Sequence, residues 1–390
     1  MSDSVVIVAA RRTPIGSFQG ALAPLSAPEL GAAVIRAALA DGKVSGSDVS
    51  EVIMGCVLPA GLGQAPARQA SLGAGVPVSV GCTTINKVCG SGMKAVMFGN
   101  DLIRAGSATV VVAGGMESMS NAPYLVQRAL RMGHSEMLDH MFYDGLQNPY
   151  DKQMMGHFGD QCADKYAFTR EAQDAFAIES VNSAVRATQD GSFADEIVPV
   201  VTKTRKGEVE VTSDEEPARC NVEKIPGLKA AFRKEGGTVT AATSSSISDG
   251  AAALVLMPES EAQRRGLTPL ARIVGHAGHA HEPEWFTTAP VKAIAALHDQ
   301  LGWSATDVDL YEINEAFAVV TMAAIKELGL DREKVNVNGG ACALGHPIGA
   351  TGARLIVSLA HALKRRGLKR GIAALCIGGG EATAIGIETL

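Results

Sequence analysis

The sequence predicts an α/β protein built twice over, and three observations carry that reading. Apolar runs of strand length alternate with helix-length segments along the whole chain. The composition is aliphatic and glycine-rich, with 46% hydrophobic residues, 43 Gly and only 4% aromatics, which suits closely packed layers joined by tight turns. Finally, SGMKAVMFGNDLIRAGSATVVVAGGMES has a counterpart in TGARLIVSLAHALKRRGLKRGIAALCIGGGEA, each a helix opened by Ser/Thr-Gly and followed by a strand ending in glycines.

Taken in order, VVIVAA reads as a strand, PELGAAVIRAALADG as a helix, VSEVIMGCVLP and CTTINKV as strands, SGMKAVMFGNDLIRAG as a helix and ATVVVAGG as a strand. The second half repeats the plan. ARIVGHAG, a helix over 291–301, VDLYEI, the helix EAFAVVTMAAIKELG, VNVNGG, the helix GATGARLIVSLAHALKRRG and the strand GIAALCIGGG follow in comparable order. Alternation of this kind predicts βαβ units and a mostly parallel sheet with helices on its faces. The halves divide at 1–262 and 268–390. In the first, about 119–244 separate AGGMES from its partner strand SDGAAALVLM, too long for a loop and richer in Met, His, Tyr and charge, with a strong helix at TREAQDAFAIESVNSAVRATQDG. This stretch is read as an inserted loop domain that covers a ligand.

With 390 residues the chain has room for two domains, or one large domain built twice. Its net charge of -6 argues against a nucleic-acid partner, and KRRGLKR (Lys364 to Arg370) reads as cations at a helix C-terminus. Seven scattered cysteines with no CxxC encode neither a disulfide framework nor a zinc cluster and fit a reducing compartment. No stretch of 18 apolar residues occurs, so a soluble, cytoplasmic protein with no membrane partner is expected.

The chemistry starts at NKVCGSGMKAV, where Cys89 lies between an apolar run and Gly90-Ser91-Gly92 at a strand-to-helix turn. Glycines permit a tight turn, and the helix N-terminus would aim amide N–H groups at the sulfur, lowering the thiol pKa and supplying donors to an oxyanion. A buried structural thiol, the commoner use of free Cys, stands beside that reading. The same stretch matches a dinucleotide fingerprint, but the acidic residue wanted about 20 positions later is missing. In the second half His346 of GHPIGATG stands just ahead of a helix, and a pseudo-twofold would bring its imidazole towards Cys89 to activate the thiol; the rival is a polar cap. Cys376 ends the strand GIAALC and reads either as a buried strand-end residue or as an acid or base beside a turn at Gly378 to Gly380 whose amides would approach a carbonyl oxygen. Asn314 of NEAFA reads either as a helix N-cap or as the holder of a catalytic water. HAGHAH (His276, His279, His281) lacks the partners of a zinc site and reads as loop histidines; no metal is expected.

Taken together, VCGSGMKAV, GGMESMS, NEAFA, NVNGGACALGHPIGATGAR and CIGGGEA resemble the signature blocks of the thiolase family, in its order and spacing and over the whole chain. The resemblance implies a layered αβαβα fold of two βαβαβαββ halves with a loop domain inserted in the first. It implies that Cys89 is acylated by a coenzyme A thioester, that His346 takes its proton, and that Cys376 moves the α-proton of the incoming acetyl-CoA. Asn314 with its water and His346 would form one oxyanion hole, the Cys89 and Gly378 amides the other. The implied reaction is reversible condensation of two acetyl-CoA to acetoacetyl-CoA and coenzyme A. No cofactor is expected, the thioesters being substrates, and a homodimer or homotetramer is.

Departures bear on substrate choice. TSSSISDGAAA (Thr243 to Ala253) stands where many members read NASGxNDGAAA, with Ser245 at the serine that contacts pantetheine, and Met154 occupies a position often held by histidine. The coenzyme A phosphates are expected at Arg219, Lys229, Arg233 and Lys234. Rival readings are a longer-chain degradative 3-ketoacyl-CoA thiolase, a decarboxylating condensing enzyme, which would want two histidines rather than Cys376, and a non-catalytic acyl-CoA binding protein.

Overall fold

The computed structural model describes residues 3–128, 132–205 and 207–390. The first half runs β1 (Val5–Arg12), β2 (Gly16–Ser17), α1 (Ala27–Asp41), β3 (Glu51–Gly55), α2 (Pro66–Gly73), β4 (Gly81–Ile85), α3 (Ser91–Arg104) and β5 (Val111–Ser118). Its first helix shows why these segments fold as they do. Ser26 and Glu29 cap each other's backbone, Pro28 occupies the first turn, and Leu30, Val34, Ile35 and Ala38 form one buried stripe.

After β5 the chain leaves the sheet through β6 (Tyr124–Val126), β7 (Met137–Asp139), α4 (Met155–Tyr166), α5 (Arg170–Gln189), β8 (Val200–Thr204), β9 (Gly207–Val211) and α6 (Glu216–Arg219). It returns as β10 (Ser248–Pro258), where Asp249 pairs with Ser118, so the excursion begins and ends side by side. Next come α7 (Glu259–Arg264), β11 (Ala271–Ala280), α8 (Ala289–Leu301), β12 (Leu310–Ile313), α9 (Ala318–Leu328), α10 (Ala341–Leu344), α11 (Thr351–Arg366), β13 (Arg370–Ile377) and β14 (Glu381–Glu388).

The main sheet runs β12-β13-β14-β11-β1-β10-β5-β3-β4, joined at its middle by antiparallel pairing of β1 and β11 over Val5–Ile7 and Ala271–Ile273. Each half repeats one order, and in the second the outermost place is held by Val335 alone, through a parallel bridge to Tyr311. Two expectations need correction. The sheet is mixed rather than mostly parallel: among the described residues its parallel strand pairs are β3–β4, β3–β5 and β12–β13, because in each half the return strand and the first strand run against their neighbours. And VNVNGG is no strand. Asn336 sits at φ +50 and its side chain takes over the ladder, accepting from the Ile313 amide and donating to the Ile313 carbonyl, both at 2.8 Å.

Three buried clusters define the layers. One packs α1 and α2 on the first half of the sheet; another packs α8 and α9 on the second; between them a central cluster joins α3 and α11 to both halves. Helix, sheet, helix, sheet, helix is therefore the layering. The central helices meet at glycines. A Cβ on Gly92 would lie 2.8 Å from the Ala353 amide nitrogen, and one on Gly352 would lie 2.4 Å from the Met93 amide nitrogen. Only glycine lets these backbones touch, and the contact falls at the N-termini that follow Cys89 and His346.

Candidate active site

Cys89 stands on a pinned turn. Val88 has φ +47, a left-handed conformation unusual for a β-branched residue, and three bonds hold it there: Asn86 Oδ1 accepts from the Val88 amide (2.8 Å), the Ser91 hydroxyl donates to the Val88 carbonyl (2.7 Å) and accepts from the Lys87 amide (2.8 Å). Gly90 lies against Ile377, where a Cβ would be 2.4 Å from the Ile377 side chain, so this turn abuts the end of β13. Lys87 pairs with Glu381 at the start of β14, tying the same two turns from outside.

Across that contact the backbone amide of Gly378 faces the Cys89 sulfur, as does the amide of Cys89 itself. Both favour negative charge there, yet burial outweighs them and the thiol is pushed up to about 11. The expectation of a lowered thiol pKa fails for that reason: the donors that reach the sulfur are two loop amides, and desolvation costs more than they return. Cys376 is wholly buried. Its pKa rises well above the usual thiol value, first by desolvation and then by the charge of Cys89.

His346 follows Gly345, which takes φ +101, and its amide donates to the Ser246 carbonyl. Its Nδ1 lies 2.6 Å from the Thr351 hydroxyl, and that hydroxyl donates to the Pro347 carbonyl at 3.0 Å. A hydroxyl has one proton to give, so Nδ1 is the donor and Nε2 carries the free lone pair. Asn314 Nδ2 approaches Nε2 at 3.4 Å, and the buried Oδ1 of Asn314 has no partner among the described residues. Burial, then the charge of Arg354, lowers the imidazole pKa to about 3, so His346 is neutral at any ordinary pH. Asn314 is not a helix N-cap: α9 starts at Ala318 with Phe317 before it. The neighbouring Glu315 is instead the buried pivot of its loop, accepting from Ser180, Asn336 and the Cys342 amide.

Cys89, His346 and Gly378 share one cavity of about 410 Å³, lined also by Met154, Ser245 and apolar side chains that include Met119, Leu146, Phe286 and Ile348, while Asn314 stands behind His346. Cys376 packs beneath it, among Phe158, Phe286 and Phe317. Arg219 does not join them. It lies on α6, ion-paired with Glu215 at 3.2 Å, while Arg233 is held by Asp164 at 2.6 Å; Lys229 and Lys234 are exposed. Of the loop histidines, His276 bonds Asp101 and His281 the Trp285 carbonyl. Sequence reasoning missed Thr351, whose only signal is its place five residues after His346, and it gave no role to Glu117, although GGMES was among the blocks read. A neutral base and a half-buried thiol lining one cavity, with two amides facing the sulfur and a second, buried thiol nearby, can carry a covalent acyl transfer.

Comparison with known proteins agrees with this chemistry. The thiolase N-terminal domain model matches residues 5–260 and the thiolase C-terminal domain model residues 267–389. An acetyl-CoA acetyltransferase of Pseudomonas aeruginosa is 51% identical over 388 residues, 98% of each chain. The cytosolic acetyl-CoA acetyltransferase of Mus musculus is 50% identical over 391 residues, 99% of this chain and 98% of its own. The crystal structure of the Acat5 thiolase from Ascaris suum in complex with coenzyme A superposes with a TM-score of 0.94 at 46% identity, covering 99% of this chain and all of that one.

Proposed function

The chain belongs to the thiolase family, and on that premise we propose that it catalyses the reversible condensation of two acetyl-CoA to acetoacetyl-CoA and coenzyme A through an acetyl-cysteine. The observation that carries the reading is the single cavity that holds Cys89 and His346 above Cys376.

Cys89 passes its proton to His346 Nε2 as the sulfur attacks the thioester carbonyl, and the resulting oxyanion is held by the amides of Cys89 and Gly378. The oxyanion collapses, the carbon–sulfur bond to coenzyme A breaks, and the leaving thiolate takes the Cys376 proton, leaving Cys376 as the thiolate while His346 keeps the proton from Cys89. A second acetyl-CoA then loses an α-proton to the Cys376 thiolate, its enolate oxygen held by the protonated Nε2 of His346 and by a water on Asn314. The enolate carbon attacks acetyl-Cys89, the carbon–sulfur bond to Cys89 breaks, and the released thiolate takes back its proton from His346 as acetoacetyl-CoA departs. Ser245 and Met154 line the acyl and pantetheine path, and the phosphates meet the cations at the mouth, Lys229 and Lys234 before Arg219, which its ion pair holds elsewhere. Exposed Tyr124, Val126 and Met137 on the β6–β7 pair support a homo-oligomer, and the protein acts in the cytoplasm.

The apolar lining and Met154 favour a second reading in which longer 3-ketoacyl chains are also cleaved. Thiolysis of 3-ketoacyl-CoAs of increasing length decides between them. Acetoacetyl-CoA should be cleaved fastest; a maximum at longer chains selects the degradative reading, and no cleavage of any chain removes both.

A further inference from the structure

Glu117, at the end of β5, is a fully buried carboxylate that the reaction above does not use. Its surroundings are unusual. One oxygen accepts from the amides of Val57 (3.0 Å) and Gly349 (2.8 Å), the other from the amide of Leu58 (3.1 Å) and the thiol of Cys56 (3.7 Å). Val57 and Leu58 belong to the turn after β3, and they form an apolar cluster with Met119 and Ile348 against which Cys89 packs. Gly349 belongs to the other half of the molecule, three residues after His346. The fit leaves no slack: a Cβ on Gly349 would lie 2.5 Å from the carboxylate, and one on Gly115 would lie 2.0 Å from the Gly349 carbonyl.

We propose that Glu117 is a positioning residue for the acetyl transfer: its carboxylate is the shared acceptor that clamps the His346 loop of one half to the turn packed under Cys89 in the other. A glutamine in its place would offer one acceptor oxygen to three amides and a thiol, so the clamp is made for the two oxygens of a carboxylate. That charge also reaches the nucleophile. It contributes to the raised pKa of Cys89, while burial holds Glu117 itself at about 7. The titratable groups around it are Cys56 just after β3, Cys89 before α3 and His346 on the facing loop; Asp249 on β10 lies one residue from its cross-strand neighbour Gly250 and bonds Ser118 and Ser120.

The proposal rests on the acetyl-transfer reading, but its main test does not need turnover. Alkylation of Cys89 by iodoacetamide is followed against pH by peptide mass mapping, with exposed Cys220 as internal reference. In Glu117→Gln the Cys89 profile should move about one pH unit lower, roughly tenfold more thiolate at a fixed pH, with Cys220 unmoved. Because Glu117 does not line the cavity, kcat should fall at least about tenfold with KM for acetyl-CoA unchanged. An unmoved Cys89 profile, or wild-type kcat in the folded variant, overturns the proposal. If the variant does not fold, the wild-type profile decides: ionisation of Glu117 must leave a shoulder near pH 7, and a single titration overturns it. Wild-type protein without acetyl transfer defeats the functional reading while leaving the alkylation result standing.

Discussion

Gly352→Ala tests how closely the two helices that carry the site must approach. In an ordinary helix the change would stabilise by about 1 kcal/mol, since alanine is the better helix former. Here the new methyl would lie 2.4 Å from the Met93 amide nitrogen and 2.8 Å from the Met93 Cβ, at least about 1 Å inside a normal van der Waals contact. Overpacking of this kind costs about 1–3 kcal/mol, so the net effect on stability is a loss of up to about 2 kcal/mol. Activity should suffer more. To relieve the clash α3 and α11 must part by about 1 Å, and Cys89 and His346 sit just ahead of these helices; a misplacement of that size costs about 100-fold in rate. Gly227→Ala, where a Cβ meets nothing within 4 Å, is the control. Thermal unfolding and condensation rate, measured together, give the answer. Wild-type turnover with an unchanged melting temperature in Gly352→Ala would refute the argument.

Other changes separate the roles within the site. Cys376→Ala should leave the first acetylation of Cys89 close to wild type while abolishing condensation and exchange of the α-proton with deuterated solvent; equal loss of both would reassign that sulfur. Thr351→Val keeps the volume but leaves Nδ1–H of His346 unpaired, a cost of about 1–3 kcal/mol, and should cut kcat about tenfold or more as the tautomer is lost. The pKa of His346 is about 3 in the folded chain against 6.5 for the free side chain. The unfolded chain therefore binds the proton first, and the stability that this group contributes is lost as pH falls from about 6.5 towards 3. Denaturant titrations of His346→Asn should show a shallower acid limb than wild type, and an identical limb would mean that the imidazole is not buried neutral.

Much of this was legible in the sequence because it rests on local patterns. Glycine pairs after Cys89 and before Thr351 mark helices that start at a close approach, and the repeated helix and strand place those starts on one axis, so that Cys89 and His346 lining one cavity could be inferred from spacing. Strand direction could not. VVIVAA and SDGAAALVLM are apolar throughout, and a strand buried on both faces gives the same pattern whether its neighbour runs with it or against it. VNVNGG reads as a strand from its valines, but Asn336 adopts a left-handed conformation and supplies by side chain the bonds a strand would make. Desolvation was equally out of reach: a sequence shows the Gly-Ser-Gly that aims amides at a sulfur, not how much water is removed from it. Arg219 reads as a phosphate ligand by charge, and the fold adds that it pairs with Glu215 one turn away, on the surface and outside the cavity that holds Cys89.

Incubation with isotopically labelled acetyl-CoA in the absence of an acceptor, followed by peptide mapping, tests the central claim most directly. One acetyl group per chain should be found on the peptide that contains Cys89, labile to added coenzyme A and absent in Cys89→Ala. Label on any other residue, or condensation without a covalent acetyl-enzyme, would contradict it.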